Sequence, residues 1–305
     1  MVQRYLVVHE YVGQAFSGWQ KQPDGVRTVQ GVLEKAISDF IGAETIVLGS
    51  SRTDTGVHAL ANTCHVDLCR KPRRGKSGSD ESESEDDGAA KRKPYSCSEV
   101  RKAINARIGD AEVRVTKVMK VDAEFHARFQ AKGRTYFYRI ACGPQEGQMS
   151  LFHRGQTWDV NKDLDVPLMR EAAKLLVGTH DFSSFRTSKC QALTPVKTLA
   201  SFEIDLDDER QFWPRRYLED EVTRRKNLLI TVSAPSFLYH QVRLMVGLVK
   251  AVGAGELPLS DVSKVLEAKD VKALRAAMAP AHGLYLASVD YDERKHFHED
   301  HRGEE

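Results

Sequence analysis

An arginine, a carboxylate and a glycine fall within five residues in the stretch Ser50-Ser51-Arg52-Thr53-Asp54-Thr55-Gly56-Val57-His58. It follows the apolar run Thr45-Ile46-Val47-Leu48, read as a strand, so Asp54 is expected on a loop at a strand end. Asp and Thr favour turns, and Gly accepts backbone angles that other residues resist, which predicts a tight connection around Asp54. A carboxylate presented this way can act as a nucleophile or a general base. The plain alternative is a surface turn whose Asp caps the next helix.

A second constellation lies far along the chain. Residues 237 to 252 are predicted as a helix, with Val242, Met245, Val246 and Val249 as its apolar stripe. His240, Arg243, Gly247 and Lys250 share another face, and Gly247 would let a second backbone or a ligand come close. From there Arg243 could hold Asp54 ionised and oriented through a charge-assisted pair, single or bidentate. Otherwise it is an ordinary surface arginine. A third stretch interleaves Arg128, Lys132, Arg134 and Arg139 with Phe129, Tyr136, Phe137 and Tyr138. That composition suits phosphate pairing with base stacking, or simply a strand with one basic face.

The elements that must carry these groups read as alternating strands and helices. Residues 4 to 12 form a strand, Thr28 caps a helix with Val29, Val32, Leu33, Ala36, Ile37, Phe40 and Ile41 on one face, and Gly42 stops it. A strand runs from Thr63 to Leu68, Ser98 caps a helix ending at Ile108, and strands follow at Glu112 to Val121 and Thr135 to Cys142. Asp165 caps a helix, Val196 to Leu206 alternates as one strand, Asn227 to Ser233 is another, Ser260 caps a further helix and Leu284 to Tyr291 closes the chain. The second half resembles the first, and two α+β halves side by side would leave a cleft between their sheets.

Composition narrows the class. The chain has 305 residues, 41% hydrophobic and 29% charged, as expected of a globular protein of one or two domains. No apolar run is long enough for a membrane span, and the strand-like start leaves no room for a targeting peptide. Five scattered cysteines without a Cys-x-x-Cys pair indicate free thiols in a reducing compartment, not a disulfide framework or a zinc site. Cys64 and His65 would point to opposite sides of a strand, which argues against a metal cluster there. Net charge is only +2, so any phosphate affinity must come from where the charge sits. Residues 70 to 93 hold eight Lys or Arg and six acids with no large apolar residue, and are expected to be a disordered insert. The tail from Asp292 to Glu305 has six acids against three Lys or Arg and would repel phosphate.

The nonapeptide resembles the signature loop of the tRNA pseudouridine synthase A (TruA) family, with Ser51 where Gly is usual and Thr55 where Ala is usual. A positive φ at position 51 would strain a serine. Phe237-Leu238-Tyr239-His240-Gln241-Val242-Arg243 is similar to the family's helix motif, departing at Gln241 where Met is usual. Phe125 to Phe129 with Arg134 to Arg139, His180 to Arg186, and His282 to Leu286 resemble three more motifs, and Asn62 stands where Gln is common. The resemblance implies an α+β fold of two ferredoxin-like halves, sheets side by side around a central RNA-binding cleft. The expected divisions are 1–69 with 94–130, the insert at 70–93, a second half at 131–291, and the tail at 292–305.

It also implies a cofactor-independent, metal-free isomerase that converts uridine to pseudouridine in tRNA. Asp54 would be the nucleophile or the base, Arg243 its partner, and Tyr136 the aromatic face under the uracil. Arg52 would fill the gap left by the extruded nucleotide, with Arg134 and His240 also in contact with substrate, while His58 would shape the loop. The partner is RNA; the assembly is a homodimer as in bacterial relatives or a monomer as in some eukaryotic ones. The location is cytoplasmic, or alternatively nuclear or organellar. Two other readings compete. A non-catalytic RNA-binding or tRNA-folding protein would have no need of an arginine-paired carboxylate in a phosphate-binding cleft. A metal hydrolase using Asp54, His58 and His65 lacks a recognisable ligand pattern.

Overall fold

The computed structural model describes residues 2–23, 25–70, 93–143, 151, 153–188, 190–206 and 226–297. The expected insert at 70–93 and the end of the tail, from 298, lie almost wholly outside these residues. In chain order the elements are β1 (Val2–Tyr11), α1 (Val29–Ile41), β2 (Leu48–Gly49), β3 (His58–Cys69), α2 (Cys97–Ile108), β4 (Val113–Val121), β5 (Gly133–Cys142) and β6 (Trp158–Val160). Then come α3 (Val166–Lys174), β7 (Gly178–Asp181), β8 (Val196–Leu199), β9 (Ser201–Leu206), β10 (Lys226–Ala234), α4 (Gln241–Gly253), α5 (Ser260–Ala268) and β11 (Leu284–Asp290).

Nine strands form one sheet in the order β4-β1-β3-β11-β5-β10-β9, with β2 on β3 and β6 on β5; β7 and β8 pair separately. The fold is α+β, but its halves do not present two separate sheets. The last strand, β11, runs parallel to β3 through Tyr285–His58 and Leu286–Ala59 and antiparallel to β5, and so fuses the halves edge to edge. This seam decides where the chemistry sits, because His58, four residues after Asp54, opens β3 beside β11.

Side chains directly opposite one another across a sheet share a face. The row Ala59, Leu286, Tyr136, Val232, Phe202 therefore lies on one side. Ala59 and Leu286 enter a core with Val29, Leu33 and Ile37 of α1 and Val100 and Ile104 of α2. Val232 and Phe202 enter a second core with Met169 of α3 and Met245 and Val249 of α4. Both helix layers thus cover the same face, and Tyr136 packs against both cores where they meet. A small third cluster of Leu6, Val121, Phe125 and Ala127 lies apart, where Phe297, within the expected acidic tail, packs back and bridges to Val121.

Several element ends differ from the sequence expectation for physical reasons. Thr28 and Asp165 cap α1 and α3 as expected, and Gly42 ends α1. Ser96, not Ser98, caps α2: only Ser96 has a glutamate three residues on, and Glu99 completes a capping box with it. Ser260 is the first helical residue of α5, not its cap, and the Pro258 carbonyl takes the Asp261 N–H instead. The run 196–206 is two strands, since the chain leaves the small sheet after Leu199 and enters the large one at Ser201. The stretch 45–47 is not a strand, and β2 is only two residues long. Phe237 to His240 precede α4, which begins at Gln241.

Candidate active site

The loop between β2 and β3 is held rigid from several sides. Gly56 takes a φ of 79°, and the Val57 N–H donates to the Asp54 carbonyl at 3.1 Å, closing a turn around the carboxylate. Thr53 is buried, its hydroxyl 2.7 Å from the Tyr11 hydroxyl, and its carbonyl accepts the Trp19 N–H at 3.1 Å. Fully buried Asn62 donates to the Tyr11 oxygen and the Ser51 carbonyl, both at 3.1 Å, and accepts from the Ser50 hydroxyl. Ser51 carries no positive φ, a conformation that only His240 and Lys269 adopt among the described non-glycine residues, so the expected strain does not arise.

Arg134, expected to touch substrate, spends its guanidinium on protein. Nη1 donates to the Pro235 carbonyl at 2.7 Å, Nη2 to the carbonyls of Ser50 and Arg128 at 3.3 and 3.2 Å, and Nε to the Ser51 hydroxyl at 3.4 Å. It ties the Asp54 loop to the segment leading into α4.

Arg243 reaches that loop from the first turn of α4. Its Nε donates to the Ala279 carbonyl at 2.8 Å, and the Ala279 N–H donates to the Arg243 carbonyl at 3.1 Å. Segment 277–279 can make this clamp because Gly247 leaves room: a Cβ there would lie 2.1 Å from the Ala277 oxygen. The close backbone approach expected at Gly247 is therefore made by this chain itself. So fixed, Arg243 places Nη1 3.5 Å from Oδ2 of Asp54. The contact is single and long rather than bidentate, since Nε is engaged by Ala279. His240 approaches the same oxygen, with Nε2 at 3.3 Å. Its Nδ1 lies 3.3 Å from the Thr187 hydroxyl, so both ring nitrogens face protein atoms where substrate contact was expected.

These three side chains are only 12 to 16% exposed. Burial pushes the Asp54 carboxyl above the ordinary aspartate range even though His240 and Arg243 pull it down. Burial also lowers the His240 pKa against the attraction of Asp54, with Arg243 adding to the lowering. Arg243 and His240 thus both favour the ionised carboxylate, and burial opposes them more strongly. Tyr136 is half-buried, its ring edge-to-face with Phe237 at 5.2 Å and 87°. Its hydroxyl is pushed up to about 12, by burial first and then by the Asp54 charge, so it is a neutral phenol. Arg52 is exposed two residues from Asp54. His58 braces the loop end: Nδ1 accepts the Gly13 N–H at 3.2 Å, Nε2 lies 3.1 Å from the Gly155 carbonyl, and the ring stacks on Tyr285 at 4.6 Å.

The structure brings Asp54, Arg243, His240 and Tyr136 together. Thr187 and Ala279 were not found from sequence. Thr187 lies one residue past a recognised motif, and Ala279 acts through its backbone, which carries no side-chain signal. Among the described residues no group of His, Cys, Asp and Glu could hold a metal ion, and no helix is long and apolar enough to cross a membrane.

A sequence model described as tRNA pseudouridine synthase matches residues 7–130 and 172–292. That match spans both halves of the sheet and every residue of the Asp54 cluster except Tyr136. The chain belongs to the tRNA pseudouridine synthase family. Proteins named tRNA pseudouridine synthase A resemble this synthase over nearly their whole length. One from Maricaulis maris is 38% identical, over 94% of this chain and 98% of the relative. Another from Roseobacter denitrificans is 36% identical over 95% of each, and one from Anaplasma phagocytophilum is 36% identical over 94% of this chain and 100% of its own.

Proposed function

We propose that this enzyme converts uridine to pseudouridine in tRNA and that Asp54 is the reacting carboxylate. The observation that carries this reading is the convergence of Arg243 and His240 on one oxygen of a largely buried aspartate, beside an aromatic residue where the two helix layers meet. An aspartate buried at some electrostatic cost, on a rigid loop, is what a nucleophile or base needs and what a surface turn does not.

The reaction breaks the C1′–N1 bond, turns the uracil and joins C5 to C1′, with the C5 proton lost and N1 protonated. It is an isomerisation, so no oxidant or reductant is consumed. As a nucleophile Asp54 attacks C1′, forms an ester to the sugar and is displaced by C5. As a base it takes the C2′ proton while uracil leaves with the C1′–N1 electron pair, giving a glycal; C2′ is then reprotonated as C5 bonds to C1′. Both routes need a largely unprotonated carboxylate close to the sugar. Arg243, restrained by Ala279, contributes positive charge beside it. Tyr136 supplies the face for the detached uracil, and its neutral hydroxyl is a hydrogen-bond donor to a uracil oxygen or nitrogen. Because a stacked uridine cannot reach Asp54, the nucleotide is turned out, and exposed Arg52 fills the space it leaves. Arg134 supports the loop from behind rather than binding RNA directly.

The test is tritium release from tRNA carrying uridine tritiated at C5. Pure protein is expected to release tritium in step with pseudouridine formed, without added cofactor. Tight tRNA binding with no release over many hours would favour a non-catalytic RNA-binding role instead.

A further inference from the structure

His240 has a backbone and side-chain arrangement that substrate binding does not explain. It stands at φ 66° and ψ 2°, left-handed geometry costly for most residues though less so for histidine. As the N-cap of α4 it would ordinarily lend its side chain to a free helix N–H, yet it makes no such bond. The left-handed turn instead directs the ring at Asp54, with Tyr239 stacked on it at 3.7 Å and 26°. The charged and titratable groups facing it are Asp54 from the β2–β3 loop, Arg243 from α4 and the Tyr239 hydroxyl.

We propose that His240, braced by Thr187, is the positioning residue that fixes Oδ2 of Asp54 for reaction, and that it does so as a neutral imidazole whose Nε2–H lies against that oxygen. The tautomer follows from the network. A ring nitrogen facing an ionised carboxylate oxygen at 3.3 Å attracts it only if it carries hydrogen. Neutral histidine then has a bare Nδ1, and the Thr187 hydroxyl at 3.3 Å is its donor. Arg243 alone, at 3.5 Å through one nitrogen, leaves the carboxylate free to swing. A second polar contact from another direction limits that freedom, which is how a base or nucleophile is kept in attacking geometry. This rests on Asp54 being the reacting group.

Two substitutions separate the ring contact from the backbone. In His240→Gln the side-chain nitrogen reaches where Nε2 stands, so the donor to Asp54 survives while the left-handed backbone is no easier. In His240→Asn the backbone geometry is favoured, but the shorter side chain reaches only the Nδ1 position, near Thr187. Single-turnover rates at saturating tRNA should therefore fall about ten-fold or more in Asn, the order expected for losing a close polar contact to a charged group, and less in Gln. Thermal stability should run the other way, with Asn at least as stable as Gln. The acid limb of the rate–pH profile should move to higher pH in Asn, because a carboxylate that loses a donor protonates more readily. Thr187→Val should lower the single-turnover rate without changing tRNA affinity.

A rate in His240→Asn equal to the unaltered protein's, or Asn faster than Gln, would overturn the proposal and leave His240 a backbone device. A loss confined to tRNA affinity, with the saturated rate unchanged, would overturn it in favour of a substrate contact. Asp54→Asn run alongside separates the two levels: activity there sinks the reading of Asp54 itself, whereas an inactive Asp54→Asn with a fully active His240→Asn sinks only the role given to His240.

Discussion

Replacing Gly247 with alanine should cost both stability and turnover, although alanine is the better helix former. The new Cβ would stand 2.1 Å from the Ala277 oxygen, 3.2 Å from its carbonyl carbon and 3.3 Å from the Ala279 nitrogen. Ordinary carbon–oxygen contact begins near 3.3 Å, so segment 277–279 or α4 must retreat by about 1 Å; neither end of the clash is a flexible side-chain tip. Overpacking of this kind costs about 1–3 kcal/mol. The retreat also strains the two bonds between Ala279 and Arg243, at 3.1 and 2.8 Å, together worth about 2–4 kcal/mol if both are lost. Helix propensity returns about 1 kcal/mol. The net loss is about 2–6 kcal/mol, a fall in Tm of roughly 3–9 °C for a chain of this size. Because Arg243 is aimed by Ala279, the same displacement moves its Nη1 away from Asp54, and a misplacement of about 1 Å can cost on the order of 100-fold in rate. Thermal unfolding followed by single-turnover assays well below the new Tm measures both. A variant as stable and as fast as the unaltered protein would refute the claim that close packing at Gly247 orients the arginine.

Other outcomes follow from the same geometry. Burial raises the Asp54 pKa, so ionised Asp54 weighs against folding at pH above that value, and the penalty fades as pH falls through it. Asp54→Asn should therefore melt at or above the unaltered protein at pH 7, with a gap that closes as pH falls towards the ordinary aspartate value of about 4; a lower Tm at pH 7 would contradict this. His9, buried and accepting the Trp19 indole N–H at 3.0 Å, has its pKa lowered by burial to about 4. Stability should be lost as pH falls from about 6.5, where the unfolded ring protonates, towards 4, and denaturant midpoints across that window would register it. Tyr136→Phe keeps the stacking face and should lose less turnover than Tyr136→Leu; equal, unaltered rates in both would make Tyr136 a packing residue. Arg134→Ala removes four contacts to the Asp54 loop and its neighbours and should lower stability by about 2–4 kcal/mol, read by denaturant unfolding. A loss of tRNA affinity without a loss of stability would return Arg134 to the substrate.

The candidate residues were visible in type and spacing, but only the resemblance to the family's motifs favoured them over a surface turn and a surface arginine. Asp54 announces a loop through its Thr and Gly neighbours, and Arg243 and Gly247 lie on one face of a helix whose apolar stripe is plain. What stayed hidden depends on backbone conformation or distant pairing. Nothing local reveals that His240 turns left-handed and starts α4 one residue later, so the predicted helix ran back to Phe237. The place of β11 beside β3 pairs residues more than 200 positions apart, and no periodicity encodes it. Arg134 looked like a phosphate ligand because a sequence shows a charge but not the carbonyls already waiting for it. The pairing of Arg243 with Asp54 was legible, but its electrostatic outcome was not, since burial outweighs attraction only once both are placed.

The central claim is that Asp54 does the chemistry, and one comparison tests it most directly: pseudouridine formation and tRNA affinity measured side by side for the unaltered protein and Asp54→Asn. The account predicts that Asp54→Asn binds tRNA within a few-fold of normal and forms no pseudouridine even when enzyme exceeds substrate. Pseudouridine formed by Asp54→Asn at the normal rate would contradict it.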